Sequence, residues 1–325
     1  MGPAPLRGAP YLEAYMKKIP IAETFGINTR KEAMAEAFDD ATHPRIPKPI
    51  PYYQFKKDML SAILAFLHAP YGSGLYLTGP TGCGKTSAIM QVASRLNWPV
   101  QEVTCHRRME LADLVGHHTL VNGTMQFVHG PLAVAVRDGH ILVLNEIDLA
   151  EPSELAGLNG ILDGMPLMIP ENEGEVITPH AKFRLVATGN SVGQGDETGL
   201  YQGVLRQNLA LLDRFRALEV DYPDAEVERA IVAKVAPHIA PGIIDGMVNV
   251  AGEIRKLFAG NGPKQVTVTL STRGLVQWAL LSGSYKGAPN ALKIAFEQVV
   301  LAKVDKVQRE ALNETARLVF GDDWK

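Results

Sequence analysis

Eight consecutive residues, Gly79-Pro80-Thr81-Gly82-Cys83-Gly84-Lys85-Thr86, have the types and spacing to hold a chain of phosphates. They follow a short apolar run at residues 75–78 and precede a stretch with Ile89, Val92, Ala93 and Leu96 at helical spacing. That strand–loop–helix context is what the pattern G-x-x-x-x-G-K-[ST] requires. The glycines let backbone N–H groups curl around a β-phosphate, and the helix start adds the positive end of its dipole. Lys85 would reach the β- and γ-phosphates, and the Thr86 hydroxyl would ligate Mg²⁺.

Further polar residues stand at the ends of apolar runs. Ile141-Leu142-Val143-Leu144 leads into Asn145 and Glu146. The carboxyl end of a buried strand is where metal contacts and a catalytic base belong. Glu146 would polarise an attacking water, and Asn145 stands where an Asp is usual. Its amide oxygen can accept from a Mg²⁺-bound water, but a full negative charge is lost; Asp148 lies beyond the strand end. Residues 184–188 lead into Gly189-Asn190, where Asn190 could orient the water or the γ-phosphate, although Gly-Asn after a strand also reads as a simple turn. Arg214, before the next strand, is placed to reach a neighbouring subunit's γ-phosphate, or to form a surface Asp–Arg pair. Arg273 opens a helix with Leu275, Trp278 and Ala279 inward, and on local pattern alone is a solvated arginine.

Five of nine histidines fall between His106 and His140, beside Cys105, but without C-x-x-C or H-x-x-x-H spacing they read as scattered rather than metal-binding. Cys83 lies in the phosphate loop, where the backbone does the binding.

The elements that must position these groups alternate. Strands are expected at residues 75–78, 100–104, 141–145, 184–188 and 217–220, with helices between them, which implies a mostly parallel sheet covered on both faces. Two hairpins interrupt: residues 118–121 and 124–128 flank Asn122-Gly123, and residues 167–170 and 175–178 flank a polar turn. Residues 11–40 read as mixed helical. Four prolines between Pro44 and Pro51 make a stiff linker feeding a helix from about Phe55 to His68. After Tyr222-Pro223 the texture turns helical, with Asp224 as N-cap and a last long helix carrying Leu292, Ala295, Phe296 and Val299 on one stripe. The organisation read is an N-terminal segment and Pro-rich linker at 1–50, a nucleotide-binding α/β domain at 51–221 and a helical domain at 222–325.

The chain has 325 residues, 46% of them hydrophobic, enough for a sizeable core. A formal charge of −3 gives no global drive toward nucleic acid or anionic membrane. No apolar run approaches a membrane span, the start lacks a signal-peptide pattern, and Leu6 breaks the myristoylation pattern. Two cysteines fit a reducing cytoplasm.

The ordered set GPTGCGKT, VLNEID, VATGN, LLDRF and STRGLVQW resembles AAA+ ATPases of the MoxR-like group, most of all the CobS-type subunit of aerobic cobaltochelatase. Thr24-Phe25-Gly26-Ile27, Arg95-Leu96-Asn97-Trp98-Pro99 and the run Gly193–Tyr201 add to the likeness, which covers about residues 24–300. The resemblance implies a P-loop AAA+ core with two inserted hairpins facing the ring's pore or partner, and a small all-helical lid. It implies Lys85 and Thr86 in Walker A, Glu146 in Walker B, Asn190 as sensor 1, Arg214 as arginine finger and Arg273 as sensor 2. It further implies ATP and Mg²⁺ as cofactors, a homo-oligomeric, hexameric ring, and a protein partner with a von Willebrand factor A domain.

The reading that follows is a ring-forming motor that remodels or activates a partner, with a cobalt chelatase subunit as its narrower form. A small-molecule P-loop kinase and a slow ATP-switched scaffold are the alternatives, the latter kept open by Asn145. No N-K-x-D motif is present to read a guanine base.

Overall fold

The computed structural model describes residues 16–191, 193, 195, 203–260, 266–321 and 324. Most of the run Gly193–Tyr201, namely Gln194 and residues 196–201, lies outside them. The chain divides into two compact units. One takes the chain up to Ile50, Phe55–Gly79 and Lys85–Glu219; the other takes Pro51–Gln54, Pro80–Gly84 and Val220–Lys325.

The first unit is built on five parallel strands: β3 (Gly74–Thr78), β4 (Val100–Thr104), β7 (Ile141–Asn145), β10 (Arg184–Gly189) and β11 (Phe215–Glu219), in the order β11-β3-β10-β7-β4. Every residue of β3, β7 and β10 is buried, as expected for central strands covered on both faces. Helices α2 (Lys57–His68), α3 (Lys85–Arg95) and α5 (Pro131–Asp138) supply long buried faces beside the sheet. Short helices α4 (Leu111–Val115), α6 (Pro152–Leu155), α7 (Leu158–Leu162) and α8 (Leu209–Leu212) fill the connections.

Both hairpins form. The first is β5 (Gly116–Val121) with β6 (Thr124–His129), turning on Asn122 and Gly123, both at positive φ. The second is β8 (Leu167–Ile169) with β9 (Glu175–Ile177). Two histidines of the first hold the second. His118 Nε2 lies 2.7 Å from the Glu171 carbonyl, and His129 Nε2 lies 2.6 Å from Glu175 Oε2.

The described N-terminal residues differ from the helical expectation. They form an antiparallel pair, β1 (Met16–Pro20) with β2 (Met34–Phe38), joined through the single-turn helix α1 (Ile21–Phe25). The run Arg95–Pro99 anchors them. Asn97 Nδ2 donates to the Phe38 carbonyl at 3.0 Å, and the Phe38 ring meets Trp98 edge-on. Arg95 donates to the Ile50 carbonyl at 3.0 Å, fixing the Pro-rich segment to α3. Arg184 is a buried cation whose hydrogen bonds, among the described residues, go to carbonyls rather than to a carboxylate. Its guanidinium donates to the carbonyls of Leu67, Ala181 and Phe183 over the face of Trp98, and burial lowers its pKa to about 10.

The second unit carries α9 (Ala225–Val235), α10 (Pro241–Phe258), α11 (Thr272–Ser284), α12 (Ala291–Val299) and α13 (Lys306–Phe320). Asp224 is the N-cap residue of α9, but its side chain makes no capping hydrogen bond. The stripe of Ala295, Phe296 and Val299 is buried on α12, which is not the last long helix; α13 follows it. Trp278, Phe296, Phe320 and Trp324 form one aromatic cluster. Glu228, 1% exposed, receives both arms of Arg255 at 2.8 Å and the Thr272 hydroxyl at 2.6 Å. Among the described residues no helix is long and apolar enough to cross a membrane.

Candidate nucleotide site

Register brings the site together. In the parallel pairings Gly189 lies opposite Thr78, Ala187 opposite Leu144, and Thr104 opposite Asn145. The carboxyl ends of β3, β10, β7 and β4 therefore form one edge, and the phosphate loop leaves from β3. Gly79, Gly82 and Gly84 have φ of 145°, 72° and 102°, values that side chains rarely adopt, so the course of the loop favours glycine there.

Lys85 opens α3 and is 9% exposed. Its Nζ donates to the Gly79 carbonyl at 2.7 Å and to Asn190 Oδ1 at 3.0 Å, so the ammonium is held between the loop and the tip of β10. Thr86 Oγ1 donates to Asn145 Oδ1 at 2.7 Å. Thr188 Oγ1 reaches the same oxygen at 3.2 Å and accepts from the Glu146 amide at 3.2 Å. Glu146 is exposed, with backbone φ 54° and ψ 45°, a left-handed conformation uncommon for a non-glycine residue.

These atoms fit a hard divalent cation. Thr86 and Asn145 present oxygen, and Mg²⁺ is commonly held by few protein ligands together with water and phosphate. His140 is buried, and burial holds its pKa near 4. Burial likewise pushes the Cys105 thiol up to about 12, so it stays a thiol rather than a thiolate ligand.

Asp148, which the sequence places beyond the strand end, lies close by. Fully buried in the 3-10 turn after β7, it accepts from the Asn190 and Ser191 amides at 2.8 and 3.3 Å. Burial raises its pKa, against the pull of those amides. Tyr76 donates to the Ser191 carbonyl at 2.9 Å, so the tip carrying Asn190 is held from two sides. The signal was present in Glu146-Ile147-Asp148, but only the fold shows which amides the carboxylate meets.

Arg214 does not join this group. Its carbonyl accepts from Gly74 N at 2.9 Å, which places it at the amino ends of the strands. The P-loop leaves from the opposite end of β3, four residue steps or roughly 13 Å away. Its guanidinium grips Asp163, not the adjacent Asp213. Arg273 is exposed in the first turn of α11, in the helical unit.

A Gly-rich loop between a buried parallel strand and a helix, with lysine and threonine facing polar strand tips, defines a P-loop nucleotide-binding protein. Residues 74–215 match the AAA domain (dynein-related subfamily), and residues 228–319 match the CbbQ/NirQ/NorQ C-terminal family. The chain is 32% identical to aerobic cobaltochelatase subunit CobS of Sinorhizobium sp, over 94% of this chain and 92% of that protein. It is 31% identical to protein NorQ of Paracoccus denitrificans (strain Pd 1222), over 75% of this chain and 86% of that one. The chain belongs to the MoxR-like AAA+ ATPases. A solved structure of the Thermotoga maritima RuvB Holliday junction branch migration motor aligns with a TM-score of 0.47 at 17% identity, over 86% of this chain and 74% of that one.

Proposed function

We propose that this chain binds ATP with Mg²⁺ and couples hydrolysis, within a homo-oligomeric and hexameric ring, to the remodelling or activation of a partner protein in the cytoplasm. The observation that carries this is the pairing of Lys85 with Asn190 and of Thr86 with Asn145 at one sheet edge, while Arg214 stands at the other. In this reading the phosphate loop and Lys85 hold the phosphates, Thr86 and Asn145 face the metal, and Glu146 takes a proton from the attacking water. Asn190 positions that water or the γ-phosphate, and Arg273 acts as sensor 2 from a lid spanning residues 222–325. Bound Mg²⁺ would neutralise charge on the phosphates. Arg214 completes a neighbour's site, because its own lies a strand length away.

The hairpins are the natural contact for a partner. Leu120 and Met125 at the first, and Met168 and Val176 at the second, are all more than half exposed. A partner carrying a von Willebrand factor A domain follows from the family resemblance. The CobS relative matches at 32% identity over 94% of this chain and the NorQ relative at 31% over 75%, so identity alone does not single out cobalt chelation as the client reaction.

Light scattering with and without ATP, alongside hydrolysis measured across protein concentration, tests the ring. Hydrolysis per subunit should rise with concentration; a monomer hydrolysing at constant specific rate would return the P-loop kinase reading, and ATP binding with negligible phosphate release the switched scaffold.

A further inference from the structure

Asn145 sits where the family usually carries an aspartate, yet it is not alone. Its Nδ2 donates to Glu102 Oε1 at 2.7 Å, from the neighbouring strand β4. Glu102 is two residues before Thr104, the register partner of Asn145, so it approaches diagonally across the sheet edge. A carboxylate only accepts, and this fixes the amide: nitrogen toward Glu102, oxygen toward Thr86 and Thr188. The result is one hydrogen-bonded line, Glu102–Asn145–Thr86, ending at the hydroxyl that faces the metal.

We infer that Glu102 supplies the negative charge of the Mg²⁺ site that Asn145 lacks. The inference rests on the nucleotide reading above. Two effects act in the same direction. The carboxylate attracts a divalent cation through space, although its own exposure keeps that direct attraction modest. By accepting from the amide it also polarises Asn145, making Oδ1 a better acceptor for the Thr86 hydroxyl or a metal-bound water. Outer carboxylates tune metal sites in this manner even when they do not touch the ion. The charge has moved one hydrogen bond outward, from β7 to β4, and remains at the site.

A purely structural role would be to satisfy the buried Asn145 amide, and it can be separated from the charge. Glu102→Gln keeps an acceptor oxygen at the same length and removes only the charge. Glu102 is exposed, so the variant should fold. The measurement is the affinity of a non-hydrolysable ATP analogue by calorimetry as a function of free Mg²⁺, repeated in EDTA, with Mn²⁺ binding read by electron paramagnetic resonance. Glu102→Gln should raise the Mg²⁺ concentration for half-maximal effect by about tenfold, equivalent to ~1.4 kcal/mol. In EDTA its nucleotide affinity should be unchanged or slightly tighter, because a repulsive charge has gone. Glu102→Gln with Asn145→Asp should restore the Mg²⁺ response, since the carboxylate is returned to the strand tip. An unchanged Mg²⁺ midpoint in Glu102→Gln overturns the inference, as does a loss of affinity in EDTA equal to that in Mg²⁺. If the wild-type protein binds no nucleotide at any Mg²⁺ concentration, the nucleotide reading itself falls, and this inference with it.

Discussion

Arg214 holds Asp163 with both arms of its guanidinium, Nε at 2.9 Å from Oδ1 and Nη2 at 2.8 Å from Oδ2, and Nη1 donates to the Ala210 carbonyl at 2.8 Å. The pair joins the loop after α7 to the start of β11, and it keeps the Asp163 carboxyl below the usual carboxylate range. If Arg214 serves a neighbour's nucleotide, it must leave Asp163 to do so. Asp163→Asn should therefore raise hydrolysis severalfold at limiting protein concentration, while Arg214→Ala should lower it steeply. Equal losses in both variants would mean that the pair is needed intact and that the arginine never departs.

The trans arrangement has a sharper test. Arg214→Ala should bind ATP with near-normal affinity and lose roughly 10³-fold or more in turnover, as for other arginine fingers. Glu146→Gln should also bind and stall, losing about 10²–10⁴-fold as expected for a general base. Mixing the two inactive proteins should recover phosphate release, because a mixed ring contains interfaces joining an intact Glu146 to an intact Arg214. Arg273→Ala in place of Arg214→Ala should not behave this way if it acts within its own subunit. No recovery on mixing would remove the ring.

Lys85→Ala deletes the ammonium that bridges Gly79 and Asn190. A hydrogen bond to a charged group is worth about 1.5–3 kcal/mol, so ATP affinity should fall by at least roughly ten- to a hundredfold in equilibrium binding. Asn190→Ala should leave affinity nearly intact and lower turnover. The opposite assignment of the two effects would reverse the roles proposed for the loop and the β10 tip.

Acid should weaken the first unit through His140. The ring is buried, its Nδ1 lies 3.1 Å from Gln101 Nε2, and burial lowers its pKa to about 4. His43 lies against the ring, and Asp138, Arg137 and Arg45 contribute the surrounding charge. A histidine whose folded pKa lies below its unfolded value near 6.5 binds its proton first in the unfolded chain. Its contribution is complete above pH 6.5 and is lost as pH falls toward 4, amounting to about 3 kcal/mol at most. Urea midpoints between pH 7 and 4 should drop less steeply in His140→Gln than in wild type. Parallel curves would assign the acid sensitivity elsewhere.

What could be read without coordinates was local. The β3, β7 and β10 strands each carry a run of at least three apolar residues, Asn122-Gly123 can hardly be other than a hairpin turn, and the phosphate loop carries its own signature. The β1–β2 pair looks helical in sequence because Met16-Lys17-Lys18-Ile19-Pro20 and Met34-Ala35-Glu36-Ala37-Phe38 contain lysine, alanine and glutamate, residues poor in β-propensity. Their pairing depends on contacts with Asn97 and Trp98, some sixty residues away in sequence. Glu102 and Asp163 were missed for the same reason. Each meets its partner across more than forty residues, Asn145 in one case and Arg214 in the other, and no spacing rule links them.

If Glu146 is the base proposed above, its left-handed backbone sets folding against catalysis at a single position. Any side chain at φ 54° is held in a sparsely populated region, at a cost of order 1–3 kcal/mol that glycine would avoid. Selection for thermal robustness alone would drift this position toward glycine, and the same step would erase the base. Glu146→Gly should accordingly melt higher than wild type while losing turnover by about the 10²–10⁴-fold expected for Glu146→Gln, a crippled protein sturdier than the active one. A laboratory screen for heat resistance without an activity filter would be expected to find it early.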